Sequence, residues 1–281
     1  MITVLNPGIY STVQDFGRPG FANIGVPVSG VMDSYATKIG NQLLNNDLVD
    51  AVIEITFGGG KFKFNEKLKI CVTGANFSPE VDGSSIEMHS VVEVEKGAVL
   101  SFGKKIFGVR TYLCVRGGIS ANKMLESKSF YKGITNSSIL KKGDILSTNA
   151  FQLENKKTLS KIKIDDNYFK AKLIECTLGP EFDLLSKIQQ EQLTRNIFTI
   201  SNDNNRVGYR LEELLENQLE PILTSGVLPG TVQLTPSGKV IVLMRDCQVT
   251  GGYPRILQLS EEGINVLSQK TTNDKIKFVL K

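Results

Sequence analysis

Val240, Ile241, Val242 and Leu243 stand in an unbroken apolar run behind Pro236, Ser237 and Gly238, which predicts a buried strand over Lys239 to Met244. Its exit changes character: Arg245, Asp246, Gln248 and Thr250 lead into Gly251, Gly252, Tyr253 and Pro254. An acid, a base, an amide and a hydroxyl at a strand end form either a capped hairpin turn or a binding edge, because rigid strands present adaptable chemistry at their ends. Further short apolar runs, Leu68 to Val72, Val91 to Val94, Val99 to Phe102, Thr111 to Val115, Lys172 to Cys176, Val232 to Leu234 and Ile276 to Leu280, are spaced by Gly, Asp or Lys-Gly turns. That spacing argues for barrels. Helical patterning is confined to Ser34 to Leu44 behind Asp33, Glu181 to Leu193 behind Gly179-Pro180, and Glu261 to Gln269 behind Ser260. Asn205 to Leu211 reads as a strand or turn.

Residues 7 to 33 are different, with five glycines, three prolines and the polar set Gln14, Asp15, Arg18, Ser29 and Asp33. So dense a set of breakers excludes a core helix and any long strand, leaving an ordered loop system. Asn149 to Tyr168 is poor in apolar residues and rich in Lys, Asn and Asp, which makes it the expected domain junction. Two domains follow, 1–155 and 156–281.

The composition narrows the function classes. With 281 residues and 41% hydrophobic content, the chain can fill two ordinary cores. Its 33 basic and 29 acidic side chains give a mixed surface with no basic footprint for nucleic acid. No apolar run reaches the length of a membrane span, and the first residues lack a secretory signal pattern, so a cytoplasmic protein is expected. Arginine is scarce, eight against 25 lysines, yet Arg18, Arg206, Arg210, Arg245 and Arg255 fall in the glycine-rich blocks. Such placement suits either carboxylate binding or structural ion pairs.

Several chemistries are disfavoured. Cys71, Cys114, Cys176 and Cys247 form no C-x-x-C pair, and three sit in apolar runs where a thiol behaves as a small hydrophobe. Cys247, between Asp246 and Gln248, lacks an obvious base, since the one histidine is His89 in the alternating segment EMHSVVEV, where a surface or edge position is expected. No metal site is expected. Gly58, Gly59, Gly60 and Lys61 look like a phosphate loop, but Phe62 stands where a hydroxyl is needed, so a tight turn between strands is the better reading.

The blocks TVQDFGRPG, GVPVSGVMD, LGPEFD, NRVGYRL, SGVLPGTVQ and RDCQVTGGYPR occur in this order from residue 12 to residue 255. Together they resemble the biotin-dependent carboxyltransferase-like family, which includes the C subunit of bacterial 5-oxoprolinase, KipA-type proteins and the second half of urea carboxylase carboxyltransferases. The resemblance implies a mainly β chain with a few helices, folded as two cyclophilin-like β-barrel domains with a cleft between them. It also implies one of three functions. The first is membership of a multi-subunit, ATP-dependent 5-oxoprolinase that opens the lactam of 5-oxo-L-proline to L-glutamate, where the partners are a KipI-type subunit (the B component) together with a LamB/YcsF-type subunit (the A component). The second is a carboxyltransferase component serving urea or a related amide, the one reading that involves biotin. The third is a KipA-like, non-enzymatic regulator that antagonises a kinase inhibitor. ATP belongs to the complex, because this chain offers no recognisable site for it.

The same resemblance points to site residues. Asp246, Asp15 and Arg245 are the expected catalytic groups. Gln14, Arg18, Ser29, Asp33, Arg206, Gln233, Gln248, Thr250, Gly251, Gly252 and Tyr253 are expected to bind a small amide substrate: arginines for a carboxylate, amides and hydroxyls for an amide edge, glycines for close approach. The segment YKGITNSSILKKGDIL departs from the family pattern by lacking a Gly-Arg pair, so one ligand contact is expected to be absent there.

Overall fold

The structure, a computed structural model, describes residues 1–149 and 166–281. They divide into two compact units, Met1–Gly17 with Asp33–Asp166 and Arg18–Met32 with Asn167–Lys281. The boundary expected at 155/156 lies outside the described residues. Patterning gave no sign that Arg18–Met32 groups with the C-terminal half of the chain.

The first unit contains β1 (Ile2–Pro7), β2 (Tyr10–Gln14), α1 (Ser34–Leu43), β3 (Val52–Thr56), β4 (Gly60–Phe64), β5 (Leu68–Asn76), β6 (Pro79–Val81), β7 (Ser84–Ser85), β8 (Val91–Val94), β9 (Val99–Phe102), β10 (Phe107–Val115), β11 (Ile119–Ser120) and β12 (Ile145–Thr148). Its strands form a seven-stranded sheet, β11-β12-β1-β4-β9-β6-β7, and a five-stranded sheet, β2-β3-β10-β5-β8. Val13, Ile53, Ile55, Leu113, Val115 and Val72 send one face of the five-stranded sheet into the apolar core. Because side chains alternate along a strand, the intervening positions share the opposite face. That face is buried yet polar, with Thr12 opposite Glu54, Glu54 opposite Tyr112 and Tyr112 opposite Thr73. α1 packs on β5 and β10, where Gly40 is needed because a Cβ there would lie 2.4 Å from Cys114 Sγ. Its N-terminus is capped by Asp33, whose carboxylate accepts the Ala36 N–H at 3.0 Å.

The second unit contains β13 (Leu173–Leu178), α2 (Lys187–Arg195), β14 (Phe198–Asn204), β15 (Gly208–Leu214), β16 (Ser225–Gly226), β17 (Thr231–Leu234), β18 (Lys239–Leu243), β19 (Thr250–Gly251), β20 (Arg255–Leu259), α3 (Glu261–Ser268) and β21 (Lys275–Leu280). Seven of the strands close a barrel in the order β13-β20-β17-β18-β15-β14-β21. Closure comes from a parallel pairing of β13 with β21, Leu173 opposite Lys277 through Cys176 opposite Leu280. Ile174, Phe198, Tyr209, Val232, Val242 and Phe278 fill the interior, and full burial of side chains of this size is worth roughly 1.5–3 kcal/mol each.

Two local expectations change. α2 starts at Lys187 and not at Glu181, because Ser186 and Gln189 form a reciprocal capping box. The residues ahead of it are taken up elsewhere: the Glu181 N–H donates to the Arg255 carbonyl at 3.1 Å. His89 lies in a turn before β8 with φ of 56° and is half-buried, not on an alternating strand. The glycines at 58–60 do form the tight β3–β4 turn, with φ of 62°, 65° and 76° at Phe57, Gly58 and Gly59.

Candidate functional site

The exit of β18 is organised around Asp246. Its N–H donates to the Arg206 carbonyl at 2.8 Å, and the Met244 N–H donates to the Val207 carbonyl at 2.9 Å, so the β18 exit lies along the β14–β15 turn. Asn205 shapes that turn by accepting the Val207 N–H on its side-chain oxygen at 2.7 Å. Arg206 is thereby aimed at the carboxylate, with Nε 2.8 Å from Oδ2 and Nη2 2.9 Å from Oδ1. Ser29 Oγ donates to Oδ1 at 2.7 Å, and the Ser29 N–H donates to the Arg245 carbonyl at 2.9 Å. Arg206 Nη2 also donates to the Gly30 carbonyl at 2.6 Å. Three donors from two side chains therefore neutralise Asp246, in the bidentate geometry that suits guanidinium and carboxylate. Nearby, the Arg18 N–H donates to the Val28 carbonyl at 2.8 Å and closes the loop between them; the Arg18 side chain is fully buried.

The Arg245 side chain turns toward α3 and pairs with Glu261. Four of the five arginines in the glycine-rich blocks thus have carboxylate partners in the chain itself: Arg206 with Asp246, Arg210 with Asp203, Arg245 with Glu261 and Arg255 with Glu181. Of the two roles open to them from sequence, the structural ion pair describes these four.

The glycine turn after β18 forms a second cluster. Gln233 on β17 is buried, and its Nε2 donates to the Tyr253 carbonyl at 3.3 Å. A Cβ at Gly251 would lie 2.6 Å from that amide nitrogen, so a larger residue there would push the Gln233 side chain aside. Thr250 and Gly251 pair with Gly226 and Ser225, and the Gly252 carbonyl accepts the Ile222 N–H at 2.9 Å. Gln248, Thr250 and Tyr253 are exposed. This edge offers solvent an amide, a hydroxyl and an aromatic ring, the group types that read an amide substrate.

Gln14, Asp15 and Asp33 belong to the first unit. Gln14 is fully buried, with Nε2 donating to Thr12 Oγ1 at 3.0 Å and to the Phe130 carbonyl at 3.3 Å. Asp15 accepts from Ser127 Oγ at 2.5 Å, Ser129 Oγ at 2.6 Å, the Lys128 N–H at 2.6 Å and the Gly17 N–H at 2.8 Å. A carboxylate with four donors holds a loop in place. The Asp33 N–H donates to Tyr112 Oη at 2.8 Å, and Tyr112 Oη donates to Glu54 Oε2 at 3.0 Å. Arg110 Nε is 3.9 Å from Glu54 Oε1, and both side chains are buried. Glu54, Arg110 and Tyr112 were not singled out from sequence, although an acid flanked by Ile53 and Ile55 in a strand is a legible signal.

Other chemistries fit poorly. Burial pushes the Cys247 thiol up to about 12, Cys71 up to about 12 and Cys176 up to about 11, so a reactive thiolate is disfavoured at each. No group of three or more metal-ligating side chains occurs among the described residues. The Gly58–Gly60 turn leads into strand β4, so it has no helix N-terminus to receive a phosphate. No helix among the described residues is long and apolar enough to cross a membrane.

Residues 24–280 match the family described as carboxyltransferase domain, subdomain A and B. The chain is 32% identical to the C subunit of the Escherichia coli K12 5-oxoprolinase over 285 aligned positions, covering 99% of this chain and 91% of that protein. It is 39% identical to the urea amidolyase of Saccharomyces cerevisiae over 150 positions, which is 52% of this chain and 8% of that protein. In three dimensions it is similar to the urea amidolyase of Kluyveromyces lactis, with a TM-score of 0.86 and 28% identity over 99% of this chain and 18% of that one.

Proposed function

Because the chain belongs to the carboxyltransferase family of subdomains A and B, we propose that it is the C subunit of a multi-subunit 5-oxoprolinase, which opens the lactam of 5-oxo-L-proline to L-glutamate at the expense of ATP. One observation carries this reading. The likeness to the E. coli 5-oxoprolinase protein extends over 99% of this chain and 91% of that protein, so the two correspond almost end to end. ATP belongs to the assembled complex, the Gly58–Gly60 turn being unsuited to phosphate. The partners are one KipI-type and one LamB/YcsF-type subunit, the B and A components of the complex, and the reaction is cytoplasmic. The exposed edge of Gln248, Thr250, Gly251, Gly252 and Tyr253 receives the amide. In this reading Asp246, with three neighbouring donors, and Asp15, with four, hold loops in place.

A second reading is favoured by the likeness to urea amidolyases: a carboxyltransferase component that meets a biotin carried on another protein. The same edge could hydrogen-bond a ureido ring, and biotin would supply the activated carboxyl group. Co-expression with the two partner proteins and, in parallel, with a biotin carboxylase and a biotin carrier, followed by assay of glutamate release from 5-oxoproline and of urea turnover, separates the two. The first reading expects ATP-dependent release that avidin leaves untouched. Avidin-sensitive, bicarbonate-dependent turnover of urea, with no glutamate release, would overturn it.

A further inference from the structure

Ser29 and Gly30 occupy the left-handed region, with φ of 56° and 100°. Serine rarely takes such a φ unless its surroundings over-determine it, and here they do. Ser29 is tied through its N–H to the Arg245 carbonyl at 2.9 Å and through Oγ to Asp246 at 2.7 Å. The Gly30 carbonyl is held by Arg206 Nη2 at 2.6 Å. That carbonyl and the Val31 N–H belong to one planar trans peptide, so fixing the oxygen on Arg206 turns the Val31 N–H the opposite way. Gly30 and Val31 are buried, but among the described residues neither N–H donates to a main-chain or side-chain acceptor. Buried main-chain donors are almost always satisfied. Two successive ones left open beside a rigidly fixed turn are suited to an oxygen brought by a ligand, and the absence of a side chain at Gly30 lets that oxygen come close.

We propose that the Gly30 and Val31 N–H groups bind the carbonyl oxygen of the amide substrate, and that Ser29, Asp246 and Arg206 are positioning residues that hold them in place. This rests on the reading of the chain as part of an enzyme that acts on a lactam, and it assigns Asp246 to the turn and not to the reacting atoms. The ion pair acts through the peptide plane of Gly30. Its loss lets the donors rotate and costs most where negative charge grows on the carbonyl oxygen.

Labelling with carbonyl-13C serine and 15N glycine selects only the pairs Ser29–Gly30, Ser225–Gly226 and Ser237–Gly238 in this sequence. Addition of 5-oxoproline or of 2-pyrrolidinone, a bare lactam, to the full chain is expected to shift the Gly30 amide resonance and leave Gly238 unmoved. In Asp246→Ala and Arg206→Gln the shift is lost while the Gly238 resonance keeps its native position, which reports an intact barrel. In the reconstituted complex the same variants lower kcat about 100-fold, with KM little changed. A Gly30 resonance that neither lactam moves, or variants that retain wild-type kcat, would overturn the proposal. If the wild-type complex fails to turn over 5-oxoproline but 2-pyrrolidinone still shifts Gly30, the 5-oxoprolinase reading fails and the lactam subsite stands.

Discussion

Glu181 and Arg255, 74 residues apart in sequence, meet in a two-pronged ion pair, with Nε 2.9 Å from Oε2 and Nη2 2.7 Å from Oε1. The Arg255 N–H adds a third bond to Oε2 at 2.8 Å, and Arg255 Nη1 donates to the Gly226 carbonyl at 3.0 Å. Three glycine-rich blocks, at residues 178–183, 225–233 and 245–255, are fastened by this one arginine. The edge that offers Thr250 and Tyr253 to solvent is therefore built on a charged clasp.

The guanidinium of Arg255 holds the Glu181 carboxyl below the usual carboxylate range. A carboxyl with a depressed folded pKa stabilises the protein fully above its unfolded value, near 4.5, and the contribution fades as pH falls through the folded value. Glu181→Gln is expected to cost roughly 1–2 kcal/mol at neutral pH, the partial exposure of the pair reducing what a buried pair would give. The difference in melting temperature between wild type and variant should narrow below pH 4.5. Thermal melts at pH 7 and in steps downward from pH 4.5 test this; a gap that stays constant throughout would refute it.

Gly179 makes a separate demand on the same clasp. A Cβ there would lie 2.2 Å from the Arg255 carbonyl oxygen, a main-chain atom that cannot swing aside. Gly179→Ala should therefore force the Gly179–Glu181 strand exit away from Arg255 and destabilise the barrel by about 1–3 kcal/mol. Urea unfolding measures the loss directly, and an unchanged midpoint would mean that the backbone relaxes at no cost.

The strands that pack the second barrel were legible in sequence because continuous burial leaves continuous apolar runs, as in Val240 to Leu243. The ends of α1 and α3 were legible because Asp33 and Ser260 cap them. The clasp around Asp246 was not legible as geometry. Ser29 lies 217 residues from Asp246 and Gly30 lies 176 from Arg206, and no local periodicity encodes such a meeting. The resemblance supplied Asp246 as a catalytic group and Ser29 and Arg206 as substrate-binding ones, with Gly30 in neither set, and the structure adds that the three side chains are bonded to one another. The polar face of the five-stranded sheet escaped for another reason. Glu54, Arg110 and Tyr112 each alternate with core residues in their own strands, and only the register of β3 against β10 brings them together.

That polar face carries a prediction about stability. Glu54 and Arg110 are both buried, and leaving either charge without the other is costly. Glu54→Ala or Arg110→Ala alone should each destabilise the first unit by about 3–5 kcal/mol. The Glu54→Met, Arg110→Met double variant should lose much less than the sum of the single changes, because neither charge then stays behind. A double-mutant cycle by urea unfolding gives the coupling; strict additivity would show that the two side chains act independently.

Cys247 sits between Asp246 and Gln248, next to the residues that carry the proposed site, and its position invites a nucleophilic role. Burial is the main cause that raises its thiol to about 12, with the Asp246 charge adding to it. At neutral pH the sulfur is protonated and enclosed, so it lacks both the charge and the access that nucleophilic attack requires. Cys71, Cys114 and Cys176 are buried free thiols as well. An aromatic disulfide reagent at pH 8 is expected to release no rapid chromophore from the native chain and the full complement of four thiols after denaturation. In the reconstituted complex, Cys247→Ser should keep the wild-type kcat, since a hydroxyl fills nearly the same space. A fast-reacting native thiol, together with loss of turnover in Cys247→Ser, would return the sulfur to the reaction.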